Sequence, residues 1–191
     1  HQPTSFMVEK LTGNRVIDPC LASTSMVYGL YSQAWDADLL RLFGIEETSL
    51  PLISPTTSIA GYLTDVGAAL SGLPVGLPVA VGTGDDFAAL LGCGISQPGT
   101  VCVTIGTGEI IGAPVEKLVI DTDQLVETHI FCTGHYHLGN PGWLSGGAIR
   151  WFLNTFSVKD DAEFSALAAQ APPGCDGLLF IPALTGATAP Q

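Results

Sequence analysis

Apolar positions along the chain fall into short runs broken by glycine and proline, and each run carries its own signal of helix or strand. Phe6, Met7 and Leu11 predict a helix capped by Thr4 or Ser5 and ended by Gly13. Leu39, Leu40, Leu42 and Phe43 predict a second, opened by Asp36 or Asp38 and closed by Gly44, and a third runs from Thr64 through Val66, Ala68, Ala69 and Leu70 to Gly72. The repeated Gly-Leu-Pro at 72–74 and 76–78 reads as a loop that leads, extended, into the apolar run 78–81. That run suits a strand buried on both faces, and residues 86–92 follow it as a short helix.

After a turn at 94–99 the pattern changes to strands, at 100–105, 109–113 and roughly 125–132, with Asp121-Thr122-Asp123 as a turn before the last. Two helices follow, one from Pro141 or Gly142 through Trp151 to Phe156, the other from Asp160 or Asp161 through Phe164 and Leu167 to Ala168. Gly177-Leu178-Leu179-Phe180-Ile181 reads as a closing buried strand. Strands mixed with helices predict an α/β or split α+β design with a domain boundary near Gly94.

Composition narrows what this fold can do. An apolar share of 47% against 13% charged residues is ample for a core in 191 residues. The net charge of -12, with six scattered bases, argues against a nucleic-acid or anionic-membrane partner. A phosphate ligand would therefore rest on backbone amides and a divalent cation, because no basic cluster exists to hold it. Five separated cysteines without a C-x-x-C spacing predict reduced, packed thiols in a cytosolic protein. There is neither a membrane-length apolar run nor a secretion signal, and the chain starts without Met, as expected of a piece of something longer.

Candidate chemistry concentrates at Gly82-Thr83-Gly84-Asp85-Asp86, where the strand passes through glycines into a helix. A carboxylate at Asp85 can orient a substrate hydroxyl attacking a phosphate and accept its proton late, since such reactions depend mainly on positioning and charge stabilisation. It can equally cap the helix that begins near Asp86, and from spacing alone both roles stay open. Gly82-x-Gly84 is no dinucleotide fingerprint, because Phe87 takes the third glycine position and two negative charges stand where a pyrophosphate would approach. Gly106-Thr107-Gly108 is either a phosphate cradle or an ordinary hairpin turn. No G-x-x-x-x-G-K-[ST] or G-x-S-x-G occurs, and Ser145-Gly146-Gly147 before a helix would let a nucleotide approach the backbone closely. His135-Tyr136-His137 lacks a third ligand, so no metal site is assigned there.

Taken together, VAVGTGDDFAALLGCGISQPGTVCVTIGTGE resembles the centre of the FGGY carbohydrate kinases, most closely xylulokinases. Lys10-Leu11-Thr12-Gly13, Asp18 and Ala22-Ser23 resemble the family's lead-in, and Leu144 to Trp151 its small-residue helix start beside the nucleotide. The resemblance implies an actin-like, ribonuclease-H-type ATPase fold of two domains, with residues 1–94 ending the sugar-binding domain and residues 95–191 beginning the nucleotide-binding domain. It implies a cytoplasmic, ATP- and magnesium-dependent enzyme that phosphorylates a hydroxyl of xylulose, or alternatively of glycerol or another polyol. Asp85 is then the catalytic base, Asp85 and Asp86 contact the sugar, and Gly106, Thr107, Gly108, Gly146, Gly147 and Arg150 contact ATP.

The family's N-terminal D-x-G-T motif and later adenosine loop are not in this sequence, so the chain reads as an internal fragment, its activity alone left open. Gly108 stands where many relatives have serine after the threonine, Glu109 adds a carboxylate that is unfavourable near phosphate unless it points away or sees the metal, and the end from Pro182 to Pro190 is nearer the glycerol kinase form. The rival reading is a non-catalytic sugar-kinase-like piece. Trp35, Trp143 and Trp151 are candidates for a homodimer interface as readily as for a core.

Overall fold

The computed structural model describes residues 1–140 and 142–186. The chain divides into two compact units: one comprises His1–Thr100, Ala113–Val119 and Thr128–Leu138, the other Val101–Gly112, Ile120–Glu127 and the remainder from Gly139.

In the first unit, helix α1 (Pro3–Thr12) begins one residue ahead of the expected caps, because Pro3 supplies a preset φ at its first position. Gln2 is the N-cap and its backbone amide donates to Ser5 Oγ at 3.0 Å, while Gly13 closes the helix at φ 77°. Strand β1 (Val16–Ile17) runs straight into α2 (Pro19–Ser23), whose N-cap is Asp18. Strands β2 (Tyr28–Gly29) and β3 (Ala34–Trp35) pair antiparallel, Tyr28 opposite Trp35. Helix α3 (Ala37–Phe43) has the expected ends: the Asp36 carboxylate accepts from the Asp38 and Leu39 amides, both at 3.0 Å, and Gly44 is left-handed.

Strand β4 (Leu52–Ile53) pairs in parallel with β1. Strand β5 (Ile59–Tyr62), α4 (Asp65–Ser71) and β6 (Pro78–Ala80) form the next module, with Thr64 and Gly72 capping α4 as their residue types predict. β6 departs from expectation. It pairs antiparallel with β5 alone, so Pro78 and Ala80 are exposed and only Val81, just past the strand, is fully buried. Val81 packs with Val8 and Val16, and a second cluster joins Ile17, Ala22, Tyr28 and Ile130. Helix α5 (Asp85–Gly92) buries Phe87 and Leu90.

In the second unit, β7 (Cys102–Ile105) and the start of β8 (Glu109–Val115) form the expected hairpin, with Cys102 opposite Gly112 and Ile105 opposite Glu109. The turn at Asp121 is organised by its carboxylate, which accepts from the amides of Asp123, Leu125 and Val126 at 3.0, 2.8 and 3.1 Å. Those bonds hold the Asp121 carboxyl below its usual range. Strands β9 (Glu127–Ile130) and β10 (Tyr136–Asn140) complete the order β7-β8-β10-β9, and β8, β9 and β10 each continue from one unit into the other.

Helix α6 (Gly146–Phe156) starts several residues later than Gly142, and the alternative start at Pro141 lies outside the described residues. Helix α7 (Asp161–Ala168) has Asp160 as its cap, accepting from the Glu163 amide at 2.9 Å, and Phe152 meets Phe164 across the two helices. The expected closing strand at 177–181 is not formed. A short 3-10 turn occupies Cys175–Gly177, and Leu178 to Ile181 are exposed, with no strand beside them among the described residues to satisfy an extended backbone. Of the end from Pro182 to Pro190, on which the likeness to the glycerol kinase form rests, residues 187–190 lie outside the described residues. No described helix is long and apolar enough to cross a membrane.

Candidate functional site

Asp85 is the first residue of α5, and Gly84, not a carboxylate, is its N-cap. The capping role that spacing left open is therefore not the one adopted. Asp85 is exposed and its carboxylate makes no hydrogen bond or ion pair among the described residues, although its charge at the start of a helix is favourable to the dipole. Its backbone is held firmly. Gly82 donates to the Thr56 carbonyl at 3.0 Å, and Thr4 Oγ1 donates to the Thr83 carbonyl at 3.3 Å. Gly84 sits so close to α2 that a Cβ there would lie 2.9 Å from Leu21 Cδ2, which explains the glycine. Burial, and then the neighbouring negative charge of Asp85, push the Asp86 carboxyl up. Asp85 and Asp86 thus differ in environment although they adjoin.

In the second unit the predicted phosphate turn and the predicted small-residue helix start are joined. The amides of Ser145 and Gly147 donate to the Thr107 carbonyl at 3.0 and 2.9 Å, and the Gly146 amide donates to the Gly106 carbonyl at 2.9 Å. A Cβ on Gly146 would lie 2.6 Å from that carbonyl oxygen, which demands glycine there, and one on Gly147 would lie 3.1 Å from the Thr107 oxygen, a tight approach. The N-terminal amides of α6 are consumed in bracing the turn. What remains free among the described residues is the Thr107 amide and hydroxyl and the Gly108 amide, all on an exposed bend. Glu109, the residue of opposite charge to what a phosphate favours, has its amide bound to the Trp143 carbonyl at 2.9 Å and its side chain beside Gly142. Arg150 is exposed on α6, one turn after Gly146.

Three features escaped the sequence reading. Asp18 and Cys20, both fully buried, and Cys132 bring a carboxylate oxygen and two thiol sulfurs within 4.8 Å of one another. The Asp18 carboxylate accepts from the Leu21 amide at 3.3 Å and from Thr56 Oγ1 at 3.1 Å, and Cys20 donates to Cys132 Sγ at 3.5 Å. The expectation of uniformly packed thiols also needs correction, since Cys93 and Cys175 are exposed. His135 and His137 part company: His135 Nε2 lies 3.0 Å from Gln97 Oε1, whereas His137 is buried between Phe87, His129 and Phe131 with neither ring nitrogen hydrogen-bonded. Burial, reinforced by His129, pulls the His137 imidazole down to about 4. A sequence signal existed only for Asp18, in the Asp-Pro pair that marks a helix start.

Residues 2–92 match the FGGY family of carbohydrate kinases, N-terminal domain. Glycerol kinase of Gloeobacter violaceus is 33% identical over 194 residues, covering 98% of this chain and 38% of that protein. Xylulose kinase of Rhodospirillum rubrum superposes with a TM-score of 0.84 at 31% identity, over 97% of this chain and 39% of that one. Ligand-bound xylulose kinase of Lactobacillus acidophilus does so with a TM-score of 0.88 at 25% identity, over 98% and 38%. The chain therefore spans under two-fifths of the length of these relatives, and their shared fold is the actin-like ATPase fold. Residues 2–92 thus match the N-terminal domain of the FGGY carbohydrate kinases, and nearly the whole chain is similar in sequence and fold to part of such kinases.

Proposed function

We propose that this chain is the central segment of an ATP-dependent carbohydrate kinase that transfers the γ-phosphoryl group to a hydroxyl of xylulose, with glycerol or another polyol as the second choice of acceptor. The observation that carries the reading is the glycine turn braced by the start of α6, which leaves the Thr107 amide and hydroxyl and the Gly108 amide available to anionic oxygens. In this reading residues 1–94 contribute to the sugar-binding domain and residues 95–191 to the nucleotide-binding domain of a cytoplasmic enzyme, possible as a homodimer, with no nucleic-acid or membrane partner.

Asp85 takes the acceptor's proton. Its exposed carboxylate, rigidly held at the start of α5, accepts a hydrogen bond from the attacking hydroxyl and so aligns that oxygen before it collects the proton. Asp86 contributes a second sugar contact. Gly106, Thr107 and Gly108 hold phosphate oxygens, Gly146 and Gly147 lie beside the nucleotide and brace that turn, and Arg150 adds positive charge nearby. The exposed amides and hydroxyl fit a nucleotide phosphate, and the shortage of basic residues fits a magnesium ion bound mainly through phosphate and water. Magnesium-ATP, when bound, supplies the phosphoryl group and offsets its negative charge.

In the full-length kinase, Asp85→Asn should lower turnover roughly a thousandfold while ATP affinity stays nearly unchanged. Undiminished turnover would remove Asp85 from the mechanism. An acceptor panel containing xylulose, glycerol and gluconate measures kcat/KM for each and decides the substrate; preference for glycerol would replace the first choice.

A further inference from the structure

We propose that Cys20 and Cys132 form a reversible dithiol–disulfide site that responds to hydroperoxides. The two sulfurs are 112 positions apart in sequence yet lie 3.5 Å from each other within the first unit. They are unequal partners. Cys20 is fully buried, next to the Asp18 carboxylate and 3.8 Å from Thr56 Oγ1, whereas Cys132 is only partly covered and can meet a small oxidant.

The chemistry of the pair follows from that asymmetry. The Cys20 proton is directed at the Cys132 sulfur, and this hydrogen bond, against the opposing effect of burial, brings the Cys132 thiol down to about 7. The negative charge of Asp18 opposes that lowering. Cys20 is driven the opposite way, by the same hydrogen bond, by burial and by the negative charge of Asp18. Cys132 is thus the attacking sulfur and Cys20 the resolving one.

Oxidation proceeds in two balanced steps. The Cys132 thiolate attacks one oxygen of the hydroperoxide, the O–O bond breaks, and the leaving oxygen takes a proton from solvent; Cys132 becomes a sulfenic acid. The Cys20 sulfur then attacks the Cys132 sulfur, the S–O bond breaks, and the hydroxide released takes the Cys20 proton as water. Two electrons pass from the sulfur pair to the peroxide. A thiol reductant reverses the change by exchange. The bond would tie α2 to the segment 128–138, which already meets it through the Ile130 amide donating to Ser23 Oγ at 3.0 Å, so little backbone movement is required.

The protein is exposed to hydrogen peroxide at neutral pH, quenched in acid, alkylated, digested and mapped by mass spectrometry. A peptide joining Cys20 to Cys132, lighter by two hydrogens and lost on treatment with dithiothreitol, is expected to appear about tenfold faster than N-acetylcysteine oxidises under the same conditions. In the Cys20→Ser variant, dimedone should trap sulfenic acid at Cys132. Recovery of both thiols unmodified under peroxide that oxidises N-acetylcysteine overturns the proposal, as does linkage of either one to Cys93 or Cys175 instead. The wild-type map decides the matter even if the variant fails to fold, and it is independent of kinase activity.

Discussion

Acidification should weaken this fold through one buried imidazole. His137 is only 6% exposed, and both its ring nitrogens lack a hydrogen-bond partner among Phe87, Phe131 and the stacked ring of His129. Its folded-state value of about 4 lies below the ordinary 6.5, so between those values the unfolded chain binds the proton that the folded chain refuses. Stability from this group is therefore complete above the ordinary value and declines as pH falls towards the folded one. Linkage across that interval gives a loss of about 2 kcal/mol on going from roughly pH 7.5 to roughly pH 5. Urea unfolding at the two pH values, read by tryptophan fluorescence, measures it. His137→Phe keeps the aromatic packing and removes the titration, so its unfolding free energy should change by about 2 kcal/mol less than that of the wild type. Contributions from titratable groups that do not touch His137 are common to both proteins and cancel in the difference. Equal pH dependence in the two would refute the reasoning.

Other substitutions test separate links. Gly67→Ala places a methyl against the Leu11 carbonyl, where α4 meets α1, and should cost about 2 kcal/mol in urea unfolding. Asp18→Ala removes the cap of α2 and leaves the Thr56 hydroxyl without its acceptor, a loss of about 2 kcal/mol in the same assay, of which Asn at that position should recover the capping share. On the proposed function, Thr107→Val in the full-length protein removes a free hydroxyl from the braced turn and should weaken ATP roughly tenfold by calorimetry. Unchanged affinity would take that hydroxyl out of the nucleotide site.

What could be read from the sequence alone shares one property: the partner lies within a few residues. Asp36, Thr64 and Asp160 each accept from amides two or three positions ahead, and Gly44 and Gly72 relieve the left-handed residue that ends a helix. The β7–β8 hairpin is equally local, its register following from the glycine turn between two apolar runs. Even the choice of Asp85 rested on a neighbourhood, a strand and glycines followed by a helix, and the structure holds that turn by contacts which the pattern did not show: Thr4, Thr56 and Leu21.

Tertiary structure decided the rest, because burial and pairing depend on which distant segments return to one place. The apolar runs at 78–81 and 177–181 look alike as sequence, yet one pairs with β5 and delivers Val81 to a core while the other finds no strand among the described residues. Folding brings Cys132 to Cys20 and sets His137 among three aromatic rings, and neither cysteine nor histidine carries a local signal of that fate. It also determines that the amides of Ser145, Gly146 and Gly147 brace the Gly106–Gly108 turn. Local propensity could propose both glycine stretches; only the return of α6 to that bend makes them a single rigid surface.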